Sequence, residues 1–148
     1  AVAALAAIEQ LAANFDNLSR YELLRQEPTI ILALNQPFLS AHAAAVLAQF
    51  GTPKAQAALI DFASQSTRPL SDRQAAAAAF AAAVKLRGLR LTQAQLAQQY
   101  SRYNASQAED KPTQELLGGI LDAIEARADS AAFSALQIPE SLFHSASQ

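Results

Sequence analysis

The chain has no Cys and no Trp, only four Gly, and no strong excess of charge of either sign. Each shortage excludes something. Without Cys there is no disulfide, no thiol nucleophile and no thiolate metal site. That absence suits an oxidising compartment and a reducing one equally, so it assigns no location. A formal net charge of −2 and a pI near 5.6 are far from the profile of a dedicated nucleic-acid binder. No apolar run reaches the ~18 residues of a membrane span. Residues 1–15 are Ala-rich but lack a basic leading region and carry Glu9, which argues against a secretory signal. The first residue is Ala1 rather than Met, as expected of a processed protein or a piece of a longer one.

What is abundant is alanine, about a quarter of the residues. Ala is the best helix former and Gly a poor one, so the composition favours helices. Small residues on facing helices also let their axes come close. At 148 residues the chain suits one domain, able to bury roughly two-thirds of its unfolded surface without metal or disulfide.

Helical periodicity runs through most of the chain. Leu5, Ile8, Leu11 and Phe15 predict a helix over 2–14. Ser19 and Glu22 have the spacing of a capping box, and Pro28 ends that second helix or opens a short one through Ile30, Ile31 and Leu34. Residues 40–50 carry Val46, Leu47 and Phe50 and stop at Gly51, a residue that tolerates positive φ. Thr52-Pro53 follows as N-cap and first-turn proline, opening a helix over 53–65 with Leu59, Ile60, Phe62 and Ala63 on its buried side. Ser71 and Gln74 predict a capping box for helix 72–87, which Gly88 ends, and Thr92 and Gln95 another for helix 93–103. A polar linker at 105–111 precedes a helix from Pro112 to about Arg127, and Ser130 is expected to cap a short turn with Phe133 and Leu136.

A shift of 37 residues places Leu47 on Val84, Gly51 on Gly88 and Leu59 on Leu96; a second takes Phe80 to Leu117 and Val84 to Leu121. Such self-similarity marks a helical repeat array. The segments Ala43-Ala44-Ala45-Val46-Leu47 to Phe50-Gly51, Ala57-Ala58-Leu59-Ile60 and Asp72-Arg73-Gln74-Ala75-Ala76 resemble HEAT repeats over about residues 40–127. The resemblance implies an all-α fold, with antiparallel helix pairs (40–50 with 53–65, 72–87 with 93–103) stacked as a short right-handed α-solenoid. Residues 1–39 are then irregular N-terminal helices packing on the array, 40–138 the helical-repeat core, and 139–148 a weakly ordered tail, in one domain.

Chemistry is sparse. His42 and His144 have no ligand partner at helical spacing, and no Ser sits in a Gly-x-Ser-x-Gly elbow. Gly118-Gly119 falls inside a helical pattern with no Lys-Ser or Lys-Thr after it, so it is no phosphate loop; it reads as the close approach of a neighbouring helix. Asp122 and Glu125 share a helical face that reads as solvated. The sequence thus predicts no enzyme, no cofactor and no metal. An enzyme of the DNA-repair kind on HEAT-like helices would call for Trp and clustered carboxylates among aromatics, which are lacking.

Charge is unevenly placed. Residues 68–102 hold six basic residues and one acid, whereas 109–140 hold seven acids and two bases. Lys85, Arg87 and Arg90 oppose a helix dipole at its C-terminus and also suit a partner surface. Tyr100, Arg102 and Tyr103 add residue types enriched at binding centres, with at least one of the two tyrosines expected in the core and Asn104 as a helix stop. The expected function is a protein-interaction scaffold, part of a longer chain, whose protein partner the sequence does not name. The alternative is a nucleic-acid-binding helical domain using the basic segment 68–102, which strong salt dependence would reveal.

Overall fold

A computed structural model describes residues 1–14 and 22–135, with backbone alone at 11–14 and 128–135, and every regular element among them is helical. The longer helices are α1 (Val2–Asn14), α2 (Glu27–Leu34), α3 (Ser40–Phe50), α4 (Pro53–Ala63), α5 (Leu70–Arg87), α6 (Gln93–Ala105) and α7 (Lys111–Ala135). Pro28 sits in the first turn of α2, where its missing N–H costs nothing. It therefore opens that helix.

The turn signals are realised locally. Gly51 ends α3 with φ 57°, and the Thr52 hydroxyl accepts from the Ala55 N–H to start α4. Thr92 and Gln95 form the complete reciprocal capping box of α6. The expected Ser71–Gln74 box is absent. Pro69, in extended conformation, is the residue before α5 and makes no side-chain cap, while its carbonyl accepts from the Arg73 N–H at 3.1 Å. The helix thus begins at Leu70, which places Ser71 inside the first turn. Asn104 is no stop, since α6 runs to Ala105. The polar linker shortens to a 3-10 turn at Ser106–Ala108, and α7 continues past Ser130 to Ala135. Leu136 and the tail 139–148 lie outside the described residues, as do Phe15 and Ser19.

One continuous core joins these helices. Leu47, Phe50, Leu59, Phe62, Phe80, Val84, Leu117, Leu121 and Ile124 are buried as the periodicity predicts, and Leu96 is half-buried. The helices that pack most closely are α3 against α5, α4 against α5, α1 and α2 against α3, and α5 against α7. The partner of α6 is α7 rather than α5. That corrects the expected pairing of 72–87 with 93–103: the two helices follow one another through the Gly88 loop, and each finds its main lateral neighbour elsewhere.

Buried polar side chains tie the helix ends. Gln56, fully buried on α4, donates to the Gly88 carbonyl at 2.7 Å and accepts from the Arg90 N–H at 2.9 Å. Arg73, also buried, donates from Nε to the Ala63 carbonyl and from Nη1 to the Thr113 hydroxyl, both at 2.9 Å. One side chain thereby joins α4, α5 and α7. The Thr52 hydroxyl also meets the Glu27 carboxylate, linking the starts of α4 and α2.

At the start of α7, hydrogen bonding from the Thr113 side chain lowers the Asp110 pKa below the ordinary carboxylate value, helped by the Thr113 N–H, which donates to Asp110 Oδ2 at 3.3 Å. A depressed folded pKa gives stability that is present above the unfolded value, ~3.9, and is lost as pH falls through the folded one. Between pH 5 and 3 the urea midpoint of the wild type should therefore drop further than that of Asp110→Asn, which keeps a cap without the titrating charge. Equal drops would remove Asp110 from the acid sensitivity of the fold.

Candidate functional site

The six side chains singled out for partner binding occupy distinct environments. Lys85 and Arg90 are exposed and Arg87 is half-buried. The Arg87 stem crosses the α3–α4 turn, and its Nε donates to the Gln49 carbonyl at 3.4 Å; Arg90 Nε in turn donates to the Arg87 carbonyl at 3.3 Å. Lys85 and Arg87 end α5 and Arg90 lies in the following loop, which Gln56 holds at Gly88 and Arg90.

Tyr100, Arg102 and Tyr103 on α6 divide their roles. Arg102 pairs with Asp61 of α4 at 2.8 Å. The Tyr100 hydroxyl donates to the Glu125 carboxylate at 2.8 Å, and that bond raises its pKa above the usual phenol value, so it stays a neutral donor at neutral pH. Tyr103 packs against the core with its ring beside Gly118 of α7. The close approach expected at Gly118 is thus supplied by Tyr103.

Of the other bases in 68–102, Arg73 is buried and Arg68 donates to the Asn35 side chain at 2.6 Å while lying 4.6 Å from the Phe62 ring centroid. The basic segment is accordingly dispersed: two exposed cations at one loop, the rest engaged in packing or in bonds between helices.

A continuous uncharged surface lies elsewhere, on α5. Between Arg73 and Lys85 this helix carries no charge, and its solvent side is Gln74, Ala78, Ala81 and Ala82. Shallow recesses flank it. On the α7 side, one of about 380 Å³ is bounded by Gln74, Ala77, Ala81, Pro112, Glu115 and Gly119. The next, about 300 Å³, shares Ala81 and is bounded by Val84, Lys85, Ala123, Ala126 and Arg127. On the α3 side a third of about 290 Å³ runs along Ala41, Ala45, Ala48, Ala75 and Ala82.

Sequence reasoning singled out Lys85 but read Gly118-Gly119 only as a helix contact, which nothing in the chain supplies at Gly119, and it missed this surface. The alanines satisfied the helix pattern on every side, and Arg127 carried no signal beyond its place in an acidic stretch.

Among the described residues no group of three His, Asp or Glu side chains could hold a metal ion, and no helix is long and apolar enough to cross a membrane. His42 is half-buried in the first turn of α3; His144 lies outside the described residues. No protein-family model, curated protein or solved structure matches the chain.

Proposed function

We propose that the chain is a protein-interaction module built as a short right-handed α-solenoid of HEAT type, with the pairs α2–α3, α4–α5 and α6–α7 as its antiparallel units. Lateral packing supports this reading: α3, α5 and α7 neighbour one another in sequence order, each against its preceding partner α2, α4 or α6. The observation that carries the function is the uncharged, alanine-faced side of α5 with recesses along both edges. A helix in water ordinarily turns charged residues outward, and an exposed apolar surface rimmed by polar groups marks a contact site. The dispersal of the basic side chains favours a protein over a nucleic acid as partner, since phosphate binding draws on many unpaired cations.

A photo-crosslinking amino acid placed at Ala78 or Ala81, in the full chain expressed in its source cells, tests this. Protein adducts are expected at both positions and not at Gln98, an exposed control on α6. Adducts to RNA or DNA would transfer the function to the nucleic-acid reading. No adduct at either alanine sinks the interaction surface.

A further inference from the structure

Gly119 stands in the middle of α7, where glycine weakens a helix relative to alanine. A Cβ built there meets nothing within 4 Å, whereas one at the adjacent Gly118 meets the Tyr103 ring at 3.4 Å. Tyr103 thus approaches the Gly118 position at ordinary contact distance, while nothing in the chain approaches Gly119. Gly119 faces the recess between α5 and α7, and that recess continues through Ala81 into the second. From Gln74 to Lys85 the groove runs roughly 16 Å at 1.5 Å per residue, the length of about three helical turns.

Its two ends differ in charge, one holding a paired carboxylate and the other two cations. Glu115 stands at one end, 3.7 Å from Lys111. Lys85 and Arg127 bound the other, with no carboxylate at ion-pair distance among the described residues. Between them the walls are Ala and Gly with Val84 and Leu116 beneath, so a helix axis can come close. An anionic group at the far end would meet two cations. A helix brings such a charge in its own C-terminal carbonyls and in acidic residues of its last turn, while its positive N-terminus suits the Glu115 end.

We infer that the α5–α7 groove binds an amphipathic helix of a partner protein, with a small apolar face against Gly119 and Ala81 and acidic residues in its last turn at Lys85 and Arg127. The inference rests on the interaction reading above and specifies its occupant. It also explains the glycine: a side chain at 119 would stand where the partner's backbone passes.

The probes are three fluorescein-labelled 16-residue helical peptides with one Ala/Leu face. They carry glutamates in the last turn, glutamates in the first turn, or lysines in the last turn, and binding to the full chain is read by anisotropy. The peptide with last-turn glutamates should bind at least tenfold tighter than the other two. Gly119→Leu should weaken it tenfold or more without lowering Tm, because its side chain enters open groove. Lys85→Glu with Arg127→Glu should reverse the preference toward the lysine peptide. Equal affinities, or an unchanged affinity in Gly119→Leu, overturn the inference. So does a dimer of the chain that Gly119→Leu dissolves in sedimentation equilibrium, since the occupant is then a second copy. If Ala78 crosslinks a protein while all three peptides fail, the interaction module survives and the acidic helix does not.

Discussion

Phe80→Ala should cost the protein about 3–5 kcal/mol, the range for removing a fully buried aromatic ring. Phe80 has no exposed surface and lies on α5, the helix that packs against α3, α4 and α7 at once. Its neighbours along the buried side are Ala76, Ala79, Ala83 and Val84. Short side chains cannot swing into the vacated volume, so the cavity would persist unless whole helices moved, which argues for the upper part of the range. Urea denaturation checks this, with an unchanged m-value showing that the midpoint shift is a stability change. Leu86→Ala serves as control: that side chain, on the same helix, is 55% exposed and its loss should matter by less than ~0.5 kcal/mol. A cost below 1 kcal/mol for Phe80 would falsify its place at the junction of the helices.

Local structure was legible wherever a single residue type decides the backbone. Gly51, Thr52-Pro53 and the Thr92–Gln95 pair each act within one turn, and α3 and the start of α4 follow the sequence residue for residue. Ser71 and Gln74 have the same spacing as Thr92 and Gln95 and fail to cap. Two residues upstream, Pro69 already starts the helix. A capping motif states where a helix can begin, and the first competent start wins.

Lateral pairing was less legible, for a different reason. A 37-residue period relates α3 to α5 and α5 to α7, and it is equally compatible with grouping each helix with the one before or the one after. The tight Gly51 turn suggested grouping forward. Yet a short loop keeps consecutive helices near one another only at one end, and buried area decides the rest. The buried side of α5 packs on both α3 and α4, so α5 binds the pair ahead of it and leaves α6 to α7.

The candidate site was least legible because its features join distant residues. Asp61 with Arg102, and Tyr100 with Glu125, place a cation and a phenol of one helix on two different neighbours. No periodicity records that. Nor does alanine distinguish buried from exposed: Ala76 and Ala83 are buried while Ala78 and Ala82 face solvent, and only the packing of α3 and α7 separates them.

Gly51→Ala should destabilise by about 2–5 kcal/mol, through two effects that can be separated. The φ of 57° places the residue in the left-handed region, which costs a residue with a Cβ roughly 1–2 kcal/mol. In addition, a Cβ there would stand 2.3 Å from Arg87 Cγ and 2.8 Å from Arg87 Cβ. Those atoms are the base of the Arg87 side chain rather than its flexible end, so relief requires the end of α5 to shift, a strain of about 1–3 kcal/mol by analogy with overpacked cores. Gly88→Ala shows positive-φ strain without a contact, although its ψ of 168° puts it outside the left-handed helical region that Gly51 occupies. Gly88 also has positive φ, 79°, but a Cβ there meets nothing, so backbone strain alone, of order 1–3 kcal/mol, should appear. The contact is then tested by a double-mutant cycle with Arg87→Ala, which removes Cγ and leaves Cβ. Gly51→Ala should cost less in that background, with a coupling energy of about 0.5 kcal/mol or more. Zero coupling in urea melts would mean that Arg87 does not lie across the α3–α4 turn, and its half-buried cation would return to the exposed cluster with Lys85 and Arg90.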